Sequence, residues 1–208
     1  MNQPSDSRAS TIAYYDGHAE EFIRGTFDVD MAHLYGPFLE RIPKGGRILD
    51  AGCGSGRDSL AFLRLGYEVV SIDASERMVA ATRTATGGDV RQITFELAEF
   101  EHEFDGIWAC ASLLHVPRQD LGAVVVRLAT ALRSDGILYL SFKHGNDERT
   151  ENGRYFNDLD EVALRSLLAT DPRLEIMKMW ISDDVRNERR GNQQWLNALA
   201  RRRDRDAC

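Results

Sequence analysis

Three alternating glycines, Gly52, Gly54 and Gly56, lie between two acidic residues, Asp50 and Asp73. Glycine has no Cβ, so such a run lets the backbone turn sharply and lie directly against a bound molecule. Asp50 precedes Gly52 by two residues and Asp73 follows it by 21. An acid about 20 residues beyond such a loop, at a strand end, can accept hydrogen bonds from both hydroxyls of a ribose. Asp73 has an alternative use as a helix cap, for which Ser75 competes. Asp50 has two readings: it holds a ligand's ammonium group, or it ties down amides of the loop. The position that would complete a G-x-G-x-x-G dinucleotide fingerprint is Arg57, and no phosphate loop ending in Gly-Lys-Ser/Thr is present. The loop therefore suits a ribose-bearing ligand better than a pyrophosphate.

Such a loop works at the carboxyl end of a strand, which requires strands in the right places. Residues 47–53 (RILDAGC) read as a buried strand, followed by strands at 67–73, 92–97, 104–111 and 137–142, with two late ones at 174–181 and 194–200. Helices are predicted at 59–65, ended by Gly66, and from Ser75 to about Thr86, stopped by Gly87 and Gly88. Another opens at Pro117 and is closed by Asp135-Gly136, with Leu121, Val124, Val125, Leu128 and Leu132 on one face. A fourth follows an acidic capping box, Asp158 with Glu161. The alternation predicts an α/β fold: a Rossmann-like, doubly wound, mostly parallel seven-stranded sheet with one antiparallel late strand. The polar residues 1–10 are expected to be a frayed start, and 11–208 a single domain.

The runs ILDAGCGSG (48–56), SIDASERM (71–78), FDGI (104–107) and LLHV (113–116) resemble class I S-adenosylmethionine-dependent methyltransferases. The likeness is nearest to small bacterial members of the type 11 and tellurite-resistance-type groups, and covers about residues 44–142. It implies S-adenosyl-L-methionine as cofactor and S-adenosyl-L-homocysteine as product. It implies that Gly52, Gly54 and Gly56, with Asp50, Ala51 and Cys53 around them, meet the methionine part, that Asp73 holds the ribose, and that Ala74 and Met78 flank the adenine. Relatives often read the adenine amine with an Asp where this chain has Thr94-Phe95-Glu96-Leu97, which puts Phe95 and Glu96 among the cofactor contacts, through Glu96 or through backbone. Ala109, Cys110 and Leu114 would stand beside the sulfonium.

Methyl transfer from a sulfonium is an in-line displacement, and the protein's part is to orient the acceptor and exclude water. A base is needed only for a protonated acceptor atom, and His115 is the candidate; its alternative is a structural bond to backbone near Pro117. Tyr14, Tyr15 and His18 are further candidates, since N-terminal segments of the resembled family often cover the cofactor; the alternative is that Tyr14, Tyr15, Phe22 and Phe27 form a packing face. Lys143 and Arg154 in 143–156, and Arg186 with Arg189 and Arg190 in 182–194, lie in loops at the ligand edge. Arginine there suits a carboxylate or phosphate, the alternative being a solvated loop in which Asp147, Glu148 and Glu151 balance the charge.

The net charge of −7 argues against wrapping nucleic acid, and no apolar run approaches a membrane span. Cys53, Cys110 and Cys208 give no CxxC spacing, no metal site is expected, and a reducing cytoplasmic setting fits. No Asn/Asp-Pro-Pro-aromatic motif follows the fourth strand, which disfavours amino-group methylation of bases and of glutamine. The expected function is methyl transfer to an O, N or S atom of a small metabolite, with an anionic acceptor as one option. The alternatives are a nucleotide-binding oxidoreductase, disfavoured by Arg57 and Asp50, and a cofactor-binding protein without turnover.

Overall fold

The computed structural model describes residues 4–185 and 193–204, with side chains from residue 7 onward. Three helices come first: α1 (Pro4–Gly17), α2 (Ala19–Thr26) and α3 (Ala32–Leu39). The alternating part follows as β1 (Arg47–Ala51), α4 (Arg57–Arg64), β2 (Glu68–Asp73), α5 (Glu76–Thr86), β3 (Asp89–Gln92), β4 (Phe104–Ala109), α6 (Arg118–Ala131) and β5 (Leu132–Lys143). A hairpin, β6 (Glu148–Glu151) and β7 (Arg154–Asn157), then leads to α7 (Glu161–Leu168), β8 (Leu174–Asp183) and β9 (Gln194–Arg202).

Seven strands form one sheet in the order β3-β2-β1-β4-β5-β9-β8, and β9 alone runs antiparallel to its neighbours. The order reverses between β1 and β4, so the carboxyl ends of these two strands open the crevice in which such sheets bind ligands. Side chains alternate across the sheet. Leu49, Ala51, Ile107 and Ala109 face α6 and α7. Ile48, Trp108, Tyr139 and Leu199 face α3 and α4, where Phe38 and Phe62 meet them. Trp108 stacks on Tyr139 with ring centres 3.8 Å apart.

The sheet is the expected one, with local corrections. The third strand occupies Asp89–Gln92 rather than 92–97. Beyond it Phe95–Leu97 closes a 3-10 turn through the Leu97 amide on the Thr94 carbonyl. The first and fourth strands stop at Ala51 and Ala109, because the chain must turn over the ligand edge there. The fifth begins at Leu132, so Asp135 and Gly136 lie within it instead of closing a helix. Asp160 caps α7 by accepting from the Ala163 amide, and Asp158 instead takes an ion pair from Arg149. Ser75 caps α5 through the Met78 amide, as read from the sequence.

Within the stretch 1–10, expected to be frayed, the described residues form a helix from Pro4. Its anchors are remote in sequence: Thr11 Oγ1 accepts the Tyr155 amide at 3.0 Å, and Arg8 pairs with Glu96 at 2.7 Å. The stretch 143–156, read as a loop, contains the β6–β7 hairpin, whose Asn152 and Gly153 turn carries positive φ at both residues (51° and 80°), as tight hairpins prefer.

Candidate functional site

The carboxyl ends of β1, β2, β4 and β5 converge on a cavity of about 580 Å³, within the usual range for small-molecule sites. The loop after β1 forms one wall. Gly52 has a φ of 88°, and a Cβ there would fall 2.4 Å from Ser112 Cβ, so no other residue fits. A Cβ on Gly54 would come within 3.3 Å of the Phe22 ring, which leaves only a narrow cradle over the loop. Gly56 does not line the cavity. It packs on Thr82 and begins α4.

Asp73 closes β2 at the cavity wall. Its Oδ2 accepts the Gly54 amide at 3.0 Å and its Oδ1 the Ser75 amide at 2.9 Å, and each oxygen keeps a further lone pair. Burial raises its pKa, and these amides work against that rise. Ala74, Met78, Ile93 and Phe95 supply an apolar wall beside it. Glu96 lines the cavity as well, with its carboxylate engaged by Arg8.

Asp50 turns away from the cavity. It is buried beneath the loop, where Ser59 Oγ donates to it at 2.5 Å. Burial, and after it the nearby Asp58, push its pKa well above the carboxylate range. Of the two readings the sequence left open, this geometry matches neither: the carboxylate holds a helix side chain. Ala51 and Ala109 are also off the cavity wall, buried in the sheet. Cys53 and Cys110 do line it, with thiol pKa values pushed up by burial, that of Cys110 to about 12. Leu114 is buried among the side chains against α6.

Three features gave no signal in the sequence. Arg57, noticed only as a missing glycine, lines the cavity together with Asp58. Asp58 receives Arg57 at 2.6 and 2.9 Å, the Tyr35 hydroxyl at 2.5 Å and Trp108 Nε1 at 2.9 Å. Burial alone would raise the Asp58 pKa, yet Arg57 and these donors hold it below the usual value. Past β4, Ala111 has a φ of 51°, a conformation rare for residues with a side chain, and its amide donates to Ser141 Oγ. Ser112 Oγ donates to the Ala51 carbonyl at 2.6 Å, joining the two strand ends that open the crevice.

His115 also lines the cavity. Its Nδ1 lies 2.7 Å from the Tyr155 carbonyl and must donate to it, which leaves Nε2 to accept the Tyr15 hydroxyl at 2.8 Å. Burial, with Arg154 and Lys143 close by, lowers its pKa to about 4. Tyr15, Lys143 and Arg154 stand on the same cavity. Tyr14 does not; it stacks on His18 at 4.2 Å and lies under the Arg154 guanidinium. Arg186 lies outside the described residues, as do Arg189, Arg190 and Cys208. Among the described residues no group of three or more His, Cys, Asp or Glu side chains could hold a metal ion, and no helix is long and apolar enough to cross a membrane.

Residues 48–136 match a family described as a methyltransferase domain. Over 106 residues the chain is 33% identical to a ubiquinone biosynthesis O-methyltransferase of Xanthomonas axonopodis pv. citri, covering 48% of this chain and 44% of that protein. The matched stretch thus spans less than half of such relatives. Among solved structures, the 1,6-didemethyltoxoflavin-N1-methyltransferase of Burkholderia thailandensis, with 1,6-didemethyltoxoflavin and S-adenosylhomocysteine bound, superposes with a TM-score of 0.77 at 21% identity, covering 98% of this chain and 92% of that one. An S-adenosylmethionine-dependent methyltransferase of Methanosarcina mazei superposes at 0.71 and 21% identity, covering 82% and 99%. Residues 48–136 thus match a methyltransferase domain, and the fold built around them is shared with these solved methyltransferases.

Proposed function

We propose that this chain transfers a methyl group from S-adenosylmethionine to an O, N or S atom of a small molecule. The observation that carries this reading is the Asp73 carboxylate, held by the Gly54 and Ser75 amides at the wall of the cavity. The residues present fit the cofactor. The glycine loop allows close backbone approach, Asp73 has lone pairs for two ribose hydroxyls, and Met78, Ile93 and Phe95 offer an apolar slot for a flat base. Arg57, with its fork half engaged by Asp58, is placed to meet a carboxylate.

When bound, the cofactor supplies an electrophilic methyl: the acceptor's lone pair forms the new bond while the C–S bond breaks and leaves its electron pair on sulfur. The chain's own residues orient and enclose. Phe22 of α2 and Tyr15 of α1 cover the loop side, and Ala111 and Ser112 form the turn after β4. His115 is neutral at physiological pH and its Nε2 already accepts from Tyr15, so it positions that hydroxyl more readily than it strips a proton.

Calorimetric titration with S-adenosylhomocysteine, with NADH in parallel, tests the reading. Micromolar binding of the first alone, weakened about thirtyfold by Asp73→Asn, is the expected result. Binding of NADH in its place would refute it. Transfer of a labelled methyl group across a metabolite panel then separates an enzyme from a protein that binds without turnover.

A further inference from the structure

The wall made by the end of β5 and the β6–β7 hairpin is cationic. Lys143 closes β5, Arg149 lies in β6 and Arg154 opens β7, and all three line the cavity. Their charged ends gather on one ring: Lys143 Nζ lies 4.1 Å, Arg154 Cζ 5.0 Å and Arg149 Cζ 5.2 Å from the centre of Phe156. The attraction of a cation to a ring face is small and does not cancel the repulsion of three like charges drawn together away from water.

The acids close at hand do not balance them. Arg149 takes both, Asp158 directly and Glu151 at 3.6 Å. The carboxylates that bear on Lys143 are these same two, so three cations share two anions. Among the described residues neither Lys143 nor Arg154 makes an ion pair, and Arg154 Nε is buried without a hydrogen-bond partner. A buried donor left unpaired and a part-buried surplus of positive charge both cost stability unless a ligand completes them.

We infer that Lys143 and Arg154 form an oxyanion subsite, and that the methyl acceptor is an organic acid whose carboxylate or phosphate docks between them. The inference rests on the methyltransferase reading and adds the acceptor's class. The body of the acid would face Tyr15, Phe22 and Trp195, which line the same cavity and suit a flat, ring-sized group. The two cations also help depress the basicity of His115. The other source of an oxyanion is the carboxylate of the cofactor's methionine part, and the test separates the two.

The full chain, alone and saturated with S-adenosylhomocysteine, is titrated with benzoate, phenyl phosphate and the uncharged benzamide at fixed ionic strength. At least one anion should bind about tenfold or more tightly than benzamide, and Arg154→Gln should remove that preference while S-adenosylhomocysteine affinity stays within about twofold. Lys143→Gln should weaken the same anion, which covers the case of an Arg154 variant that does not fold. Equal binding of benzamide and both anions, or no binding of either anion, overturns the subsite. A loss of S-adenosylhomocysteine affinity in Arg154→Gln as large as the loss for the anion assigns the cations to the cofactor and overturns it too. Failure of S-adenosylhomocysteine to bind the unaltered chain sinks the methyltransferase reading instead, and the benzoate–benzamide comparison on the chain alone still decides the subsite.

Discussion

Tyr15 and His115, 100 residues apart in the chain, share one hydrogen bond of 2.8 Å, with the tyrosine as donor. The bond fixes the first helix against the turn after β4. Tyr15→Phe leaves the neutral Nε2 inside the cavity wall without its donor, and should lower unfolding free energy by about 1–2 kcal/mol at unchanged denaturant slope. A double-mutant cycle with His115→Phe measures the coupling directly, and a coupling near zero would show that the two side chains do not act as a pair.

The same histidine makes a pH prediction. Its ordinary pKa near 6.5 falls to about 4 in the folded chain, so the unfolded chain binds the proton more readily between these values. Stability is therefore unaffected by this group above pH 6.5 and is lost progressively as pH falls from there toward 4. The loss should approach about 2–3 kcal/mol. Chemical denaturation at stepped pH checks it: His115→Asn should flatten that part of the profile, and an unchanged slope would contradict the assignment.

Asp58 is buried with four donors on its carboxylate, one pair from Arg57 and one each from Tyr35 and Trp108. Asp58→Ala strands the Arg57 charge and two polar hydrogens, and should cost about 3–5 kcal/mol. Asp58→Asn keeps two acceptor lone pairs on its oxygen and should cost less. Thermal melts of the two variants decide this, and equal melting temperatures for both would show that the retained acceptor oxygen recovers nothing and that the lost charge carries the whole effect.

Gly52→Ala combines a clash and a strained backbone, since its Cβ would sit 2.4 Å from Ser112 Cβ at a φ of 88°. The loop must shift to relieve it, at a cost of roughly 1–3 kcal/mol for the conformation alone. Affinity for S-adenosylhomocysteine should fall at least about tenfold. Gly66→Ala has the same handedness of φ and open space around it, and should affect stability only.

What could be read from the chain divides by sequence distance. Gly52, Gly54 and Asp73 announce themselves because the proposed chemistry needs a missing Cβ and a carboxylate within one βαβ unit. The strands β1, β2 and β4 show as apolar runs, for they are buried on both faces. The misplaced third strand has a physical cause: Thr94, Phe95 and Glu96 alternate like a strand, but the Leu97 amide closes a turn instead of joining a ladder. Helix α1 carries no apolar stripe of its own, and it is held by Tyr155, Glu96 and Asp120, none of which is near it in sequence. Arg57 and Asp58 open α4, but the Tyr35 and Trp108 that join them come from α3 and β4. No local pattern relates them.

The hairpin β6–β7 makes no ladder with the main sheet, yet it brings Arg149, Arg154 and Phe156 to the cavity, while Asp73 and the glycine loop belong to the sheet's own strand ends. On the proposed reading, donor and acceptor recognition fall to separable pieces of chain. An exchange of residues 144–157 for a hairpin of different charge would redirect the site toward other acceptors without disturbing a single parallel strand, which makes this short excursion the place where new substrate preferences can arise on an old scaffold.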